Sequence, residues 1–324
     1  MLLSGYQIYE TKKLENAQTI PEYVFTYAEN QAADYPTTMG AYRFAELVNE
    51  RTGGKIEIRI YPEAELGDEI SVIDQMEFGG IDFARVSVST LADRIPKLNV
   101  LMLPYLYRDS AHMWKVLDGE IGVDFMDSFD GTAMIPLSWY DAGARNFYSA
   151  KIPIEKPSDL RGLRVRVQEN KLMVDMMTTL GASAVPLAFD QVYSALEIGQ
   201  IDVAENNWPS FESTSNYEVA RYYTVDEHLR VPELQLVSKV TWDKLPEEYR
   251  HVIQQSARDS SAYERRLWKE RERSSEKKVR DAGCVIIELT QEEKKRFQEA
   301  MHPIYEKYGS DYGELIQAIM DMEE

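Results

Sequence analysis

Tyr23-Val24-Phe25-Thr26-Tyr27-Ala28, the helical pattern that begins near Thr37 and the run Lys55 to Tyr61 together decide the fold class. The first run is rich in β-branched and aromatic residues, which suit a strand. Ala41, Phe44, Ala45 and Val48 recur at i, i+3, i+4 and i+7 and make one apolar stripe on a helix. Thr52-Gly53-Gly54 ends that helix, because glycine tolerates the left-handed turn at a helix C-terminus. In the third run Ile56, Ile58 and Ile60 face one way and Glu57 and Arg59 the other, which is the period of a strand. Strand, helix, strand is the repeating unit of an α/β fold with a largely parallel sheet.

The alternation continues outward. It predicts a helix over 68–78, a strand over 82–88, helical stretches over 111–125 and strands over 132–139 and 146–149. A second α/β set starts near Pro153, with a strand at 162–167, a Met-rich helix at 171–180, a helix at 191–199 and a short strand at 201–204. A strand at 233–240 leads into a helix that runs from Leu245-Pro246 to about Ala282. Its middle, Lys269-Glu270-Arg271-Glu272-Arg273, carries no apolar face and reads as a solvated span across a domain boundary. Cys284 to Leu289 is a strand, and Thr290 with Glu293 has the spacing of a capping box. Two α/β lobes make a cleft, and ligands of open α/β sheets bind at the carboxyl ends of strands.

Composition narrows the function. The 324 residues hold 36 Lys plus Arg against 55 Asp plus Glu, a net charge of −19 that argues against nucleic acid as a partner. No stretch reaches the roughly 20 apolar residues of a spanning helix. The lone Cys284 forms no intramolecular disulfide and no Cys-based metal site, and His112, His228, His251 and His302 lack a metal-ligand spacing, so neither metal nor cofactor is expected. GxGxxG, GxxxxGK[ST] and GxSxG are absent. The start, Leu2-Leu3-Ser4-Gly5, is similar to the end of a bacterial lipoprotein signal, although Tyr6 stands where the lipid-bearing Cys belongs. It reads either as a remnant of a lipid-anchored precursor or as a trimmed start with a disordered leader over 1–20.

Residues 143–168 are a basic island, with six cationic side chains against two acidic ones. Within it Leu163-Arg164-Val165-Arg166-Val167-Gln168 places Arg166 near the carboxyl end of a strand, where its planar fork can take a carboxylate. The alternative is an arginine matched to a structural acid such as Glu205. Arg145 follows another strand in a glycine-bearing loop, and Asn206, Asn207 and Trp208 follow a third. Trp208 suits either the C–H face of a sugar or plain packing. Glu205 with Glu233 is a conceivable glycosidase pair, but no spacing identifies one.

These residues resemble the periplasmic solute-binding proteins of tripartite ATP-independent (TRAP) transporters, dicarboxylate-type class, from about Tyr23 to Tyr308. The markers are Leu66-Gly67-Asp68, Gly143-Ala144-Arg145, Leu160 to Val167, Gly181-Ala182 through Pro186 and Asp202-Val203-Ala204-Glu205-Asn206. The resemblance implies a two-lobed α/β clamshell of the periplasmic-binding-protein type with a long helix bridging both lobes. Residues 21–149 are then mainly lobe 1, 150–240 mainly lobe 2, and 241–324 the bridging helix and elements returning across both. It implies that Arg166 binds the ligand carboxylate, that Arg145 is a second ligand-facing arginine and that Asn206 supplies an amide. Asn30, Glu69, Arg85, Ser87, Phe189, His228 and Glu233 are further implied ligand positions, with Gln31, Asn207 and Trp208 beside them. His228 reads equally as a satisfied core histidine and Glu69 as a helix-start residue. The stretch 204–210, with Asp226-Glu227-His228 and Pro232-Glu233, is similar to the subgroup that takes D-glucuronate and D-galacturonate. The departure is Gln31-Ala32-Ala33, where a histidine is expected soon after Asn30.

The expected protein is therefore extracytoplasmic, in the periplasm or lipid-anchored on the outer membrane face. It captures a hexuronate by lobe closure and delivers it to integral membrane TRAP subunits without catalysis. An aldonate, a sialic acid or a C4-dicarboxylate is the alternative ligand, and a carbohydrate-active enzyme is the rival class.

Overall fold

The computed structural model describes residues 20–322. The lipoprotein-like start and nearly all of the expected leader lie outside them. The strands are β1 (Tyr23–Ala28), β2 (Ile56–Tyr61), β3 (Phe83–Ser87), β4 (Met134–Tyr140), β5 (Arg145–Ser149), β6 (Arg164–Val167), β7 (Ser183–Pro186), β8 (Val203–Asn206), β9 (Tyr222–Leu229), β10 (Glu233–Ser238) and β11 (Val285–Glu288). They form a five-stranded sheet, β2-β1-β3-β10-β4, and a six-stranded sheet, β11-β9-β5-β8-β6-β7.

The first compact unit contains the described part of Met1–Ser87 together with Phe129–Asp141 and Glu233–Arg271. Its strands β2, β1 and β3 are parallel, and β10 inserts antiparallel between β3 and β4. The predicted helix after β1 spans Pro36–Arg51, with proline in its first turn, and buries Ala41, Phe44, Ala45 and Val48 as the stripe requires. They pack on Phe25, Tyr27, Ile56, Ile58 and Phe83 of the sheet. The helix Glu69–Glu77 starts where Asp68 accepts the Ser71 N–H at 2.8 Å, a side-chain cap.

The second unit contains Val88–Ser128, Ala142–Pro232 and the described part of Glu272–Glu324. Here β5 is the antiparallel strand, between β8 and β9. Met173, Met176 and Met177 are buried on the helix Lys171–Thr179, as core filling predicts. Gly119 splits the stretch expected over 111–125 into helices Ser110–Asp118 and Glu120–Asp127. Strands β7 and β9 have no counterpart in the sequence reading; the Asp226-Glu227-His228 run inside β9 hides its period.

The long helix, Glu247–Asp281, contributes Glu247–Arg271 to the first unit and its remainder to the second. Lys269, Glu270 and Arg273 are exposed, as its polar middle predicts. Block 21–149 lies mainly in the first unit, 150–240 mainly in the second, and 241–324 in both, with exchanges of single segments. Val88–Ser128 and β5 belong to the second unit, and β10 belongs to the first. Hydrophobic period identifies a strand but not the sheet that takes it, so these exchanges have no signal in the sequence.

Gly40 lies in the middle of the helix Pro36–Arg51, where a Cβ would stand 2.9 Å from Tyr140 Cε2 and 3.0 Å from Glu264 Cβ. Helix propensity alone favours alanine there by about 1 kcal/mol, but overpacking costs roughly 1–3 kcal/mol. Gly40→Ala should therefore lower the urea midpoint; a raised midpoint would show that the contact relaxes without cost.

Candidate functional site

Charged side chains gather at the carboxyl edge of the parallel strands in each unit. In the second unit Arg166 leaves β6 and is 2% exposed. Its Nε and Nη2 donate to the Leu187 carbonyl at 3.0 and 2.6 Å, and its Nη1 has no hydrogen-bond partner. Among the described residues it forms no ion pair with a carboxylate. Burial lowers its pKa from the usual arginine value, with Glu205 opposing the shift. A guanidinium held this way lacks an anion, since removing a charge from water costs several kcal/mol unless it is paired.

Two of the island's other three arginines are matched. Arg145, at the start of β5, grips Glu205 with Nε and Nη2, the latter at 2.9 Å from Oε1, and its Nη1 reaches Asn206 Oδ1 at 3.3 Å. Glu205 is thus the structural acid foreseen for an arginine, but its partner is Arg145 rather than Arg166. Arg164 pairs with Asp202 through Nη2–Oδ1 at 2.7 Å and Nε–Oδ2 at 3.0 Å.

Behind Glu205, His228 is fully buried and stacked on Phe147 with ring centroids 4.3 Å apart. Its Nδ1 is 2.7 Å from Asp226 Oδ2, and its Nε2 lies 3.6 Å from Glu205 Oε2, an ion-pair distance rather than a hydrogen bond. Burial disfavours the charged imidazole, but Asp226 and Glu205 outweigh it and raise His228 to about 9. Burial also raises Glu205, yet Arg145 and His228 bring it down to about 2. Asp226 is raised by burial against the pull of His228. His228 is thus buried as a core histidine would be, but its Nε2 has no hydrogen-bond partner, so it is not fully satisfied.

Three further sequence candidates have structural duties. Asn207 caps the helix Trp208–Ser213 by accepting the Ser210 N–H at 2.7 Å, and its Nδ2 donates to the Ala142 carbonyl at 2.9 Å. Trp208 is buried with its ring stacked on Tyr223, centroids 3.7 Å apart, so that face is packed rather than open to a sugar. Asn206 Oδ1 accepts from Arg145 and from the Asn207 N–H, which leaves its Nδ2 as a donor. Phe189 is half-buried in a short 3-10 turn two residues after Leu187.

In the first unit Arg85 of β3 is the centre. It pairs with Glu29 through Nε–Oε2 at 3.1 Å and through Nη2, while its Nη1 is 2.8 Å from both Glu69 Oε1 and Glu233 Oε2. Asn30 Oδ1 accepts from Arg85, and Asn30 Nδ2 donates to Glu69 Oε1 at 3.2 Å. The Ser87 N–H meets Glu69 Oε1 at 3.3 Å. Gln31 is buried, with its N–H on Glu29 Oε1 at 3.1 Å. Ala28, Glu29, Asn30, Gly67, Glu69, Val72 and Arg85 line a small pocket. Burial raises Glu233 to about 7 against the pull of Arg85, with Glu69 and Glu29 adding to the rise. Glu29 was missed by the sequence reading; its only signal is its place directly after β1, at the edge where ligands bind in α/β sheets.

Within each unit, the antiparallel strand places its first residue beside the last residues of its parallel neighbours. Glu233 pairs with Ser87 and Tyr140, and Arg145 with Leu229. A family model described as "Bacterial extracellular solute-binding protein, family 7" (DctP) matches residues 27–311. The chain belongs to that family. Its members are solute-binding proteins of TRAP transporters, which work with membrane transporter subunits. A solute-binding protein of Chromohalobacter salexigens is 39% identical over 290 residues, covering 90% of this chain and 86% of that one. A TRAP periplasmic solute binding protein from a Bradyrhizobium species, crystallised in complex with α/β-D-galacturonate, is 37% identical with a TM-score of 0.89, covering 92% of this chain and 99% of that one. One from Pseudomonas putida with bound D-glucuronate is 34% identical with a TM-score of 0.90, covering 93% and 98%. The family and α/β binding-protein fold expected from the sequence are thereby established.

The His228 pKa has a consequence for stability. A raised imidazole pKa contributes stability that is complete below the unfolded value near 6.5 and lost as pH rises through about 9. Between those limits the wild type should lose about 1–3 kcal/mol. In His228→Gln that loss should vanish from denaturation curves taken across this window. An unchanged slope would place the titration elsewhere.

Proposed function

We propose that this chain is an extracytoplasmic, non-catalytic binding protein that captures a hexuronate, D-glucuronate or D-galacturonate, and delivers it to the membrane subunits of a TRAP transporter. The observation that carries this reading is Arg166, buried without a carboxylate while Arg85, Arg145 and Arg164 each have one. A ligand carboxylate supplies the missing charge through charge-assisted bonds worth roughly 1.5–3 kcal/mol each. Asn206 Nδ2 is the accompanying amide donor. Asn30, Glu69, Ser87, Arg85 and Glu233 form a set rich in acceptors, of the kind that sugar hydroxyls need. The uronates bound by the Bradyrhizobium and Pseudomonas relatives support the same ligand class.

Calorimetric titration should give heat with glucuronate or galacturonate and weaker or no heat with succinate and sialic acid; silence with both uronates would refute the ligand. Arg166→Met separates an anchor from a structural arginine. Removing an unpaired buried charge should leave the unliganded protein as stable as the wild type or more so. Affinity should fall by about 30-fold or more, the usual cost of truncating one partner of a buried charge pair. A destabilised variant that still binds would identify Arg166 as structural.

A further inference from the structure

The long helix carries a buried acid that the ligand reading does not use. Glu264 is fully buried; its Oε2 accepts the Asp141 N–H at 2.9 Å, and its Oε1 meets no hydrogen-bond partner. The Asp141 side chain is buried as well. Three consecutive residues at the end of β4 are tied to this helix in the same way. The Trp139 carbonyl accepts from Ser261 Oγ, Tyr140 Oη lies 3.0 Å from Ser260 Oγ, and Asp141 donates to Glu264. Asp141 is also the last residue of the first unit before the chain enters the second at Ala142.

The groups that act on Glu264 are Tyr140 of β4 and Asp141 directly after it, Glu233 of β10 and Arg265 of its own helix. The helix Pro36–Arg51 presents Gly40 to it, which brings no charge. A fully buried carboxyl whose Oε1 meets no hydrogen-bond partner, with the acid Asp141 acting on it and Arg265 opposing, does not ionise at low cost. We propose that Glu264 keeps its proton at neutral pH, a proton site that fastens the departing end of β4 to the long helix and loosens when the proton is lost. Burial is the main force raising the Glu264 pKa, Asp141 adds to it, and Arg265 opposes it.

Glu264→Gln keeps the shape and stays neutral at every pH. A carboxyl that remains protonated in the fold but ionises near ~4.3 when unfolded costs the wild type stability as pH rises. The folding constant of the wild type should therefore fall, relative to E264Q, by up to about tenfold per pH unit as pH rises above about 5 in urea denaturation. The infrared C=O absorption of a protonated acid at pH 7 should be present in the wild type and missing from E264Q. Asp141→Asn gives a second reading if E264Q folds poorly: without the neighbouring charge Glu264 ionises more readily, so the pH-dependent loss should level off at lower pH. Parallel pH profiles for wild type and variants, with no change in the acid absorption, would overturn the proposal.

Discussion

Burying a guanidinium demands a counter-charge, and the placement of carboxylates around four arginines organises both units. Arg85 is enclosed by Glu29, Glu69 and Glu233, Arg145 is paired with Glu205, and the more exposed Arg164 with Asp202. Among the described residues, Arg166 hydrogen-bonds only to a backbone carbonyl. A matched pair is finished with respect to charge and serves the fold. An unmatched one retains an affinity that a small anion can satisfy. The chain's surplus of acid makes the exception more informative, because potential partners are abundant and none is placed on Arg166.

Strand order creates these neighbourhoods. In the first unit β10 runs against β3 and β4, so Glu233 begins where Ser87 and Tyr140 end, and Arg85 finds it there. In the second unit β5 runs against β8, so that Asn146 and Phe147 lie opposite Asn206 and Glu205, beside Arg145. In both cases a strand start sits on the edge where the parallel strands finish. That edge gathers backbone and side-chain polar groups that a sheet interior has no means to satisfy.

A buried polar network away from this edge ties the sheet to the long helix. In the first unit Gln235 donates to both Tyr27 Oη and Tyr140 Oη and accepts from Ser138, and Tyr140 continues to Ser260 of the long helix. Such networks specify one arrangement of strand and helix because any other leaves a buried donor or acceptor unsatisfied.

The α/β class, the helix over 36–51 and the long helix were legible because their apolar periods are local properties of the chain. Arg166 at a strand end was legible for the same reason. Strand β9, the exchange of β5 and β10 between units, Glu29, and the choice of Arg145 rather than Arg166 as partner of Glu205 were not. Each depends on which distant residue stands opposite, and side-chain type carries no record of that. By itself the sequence determined which residues are apolar, which are charged and where strands and helices begin. Only the tertiary structure decided which charges neutralise one another, because that is a matter of distance across strands far apart in the chain.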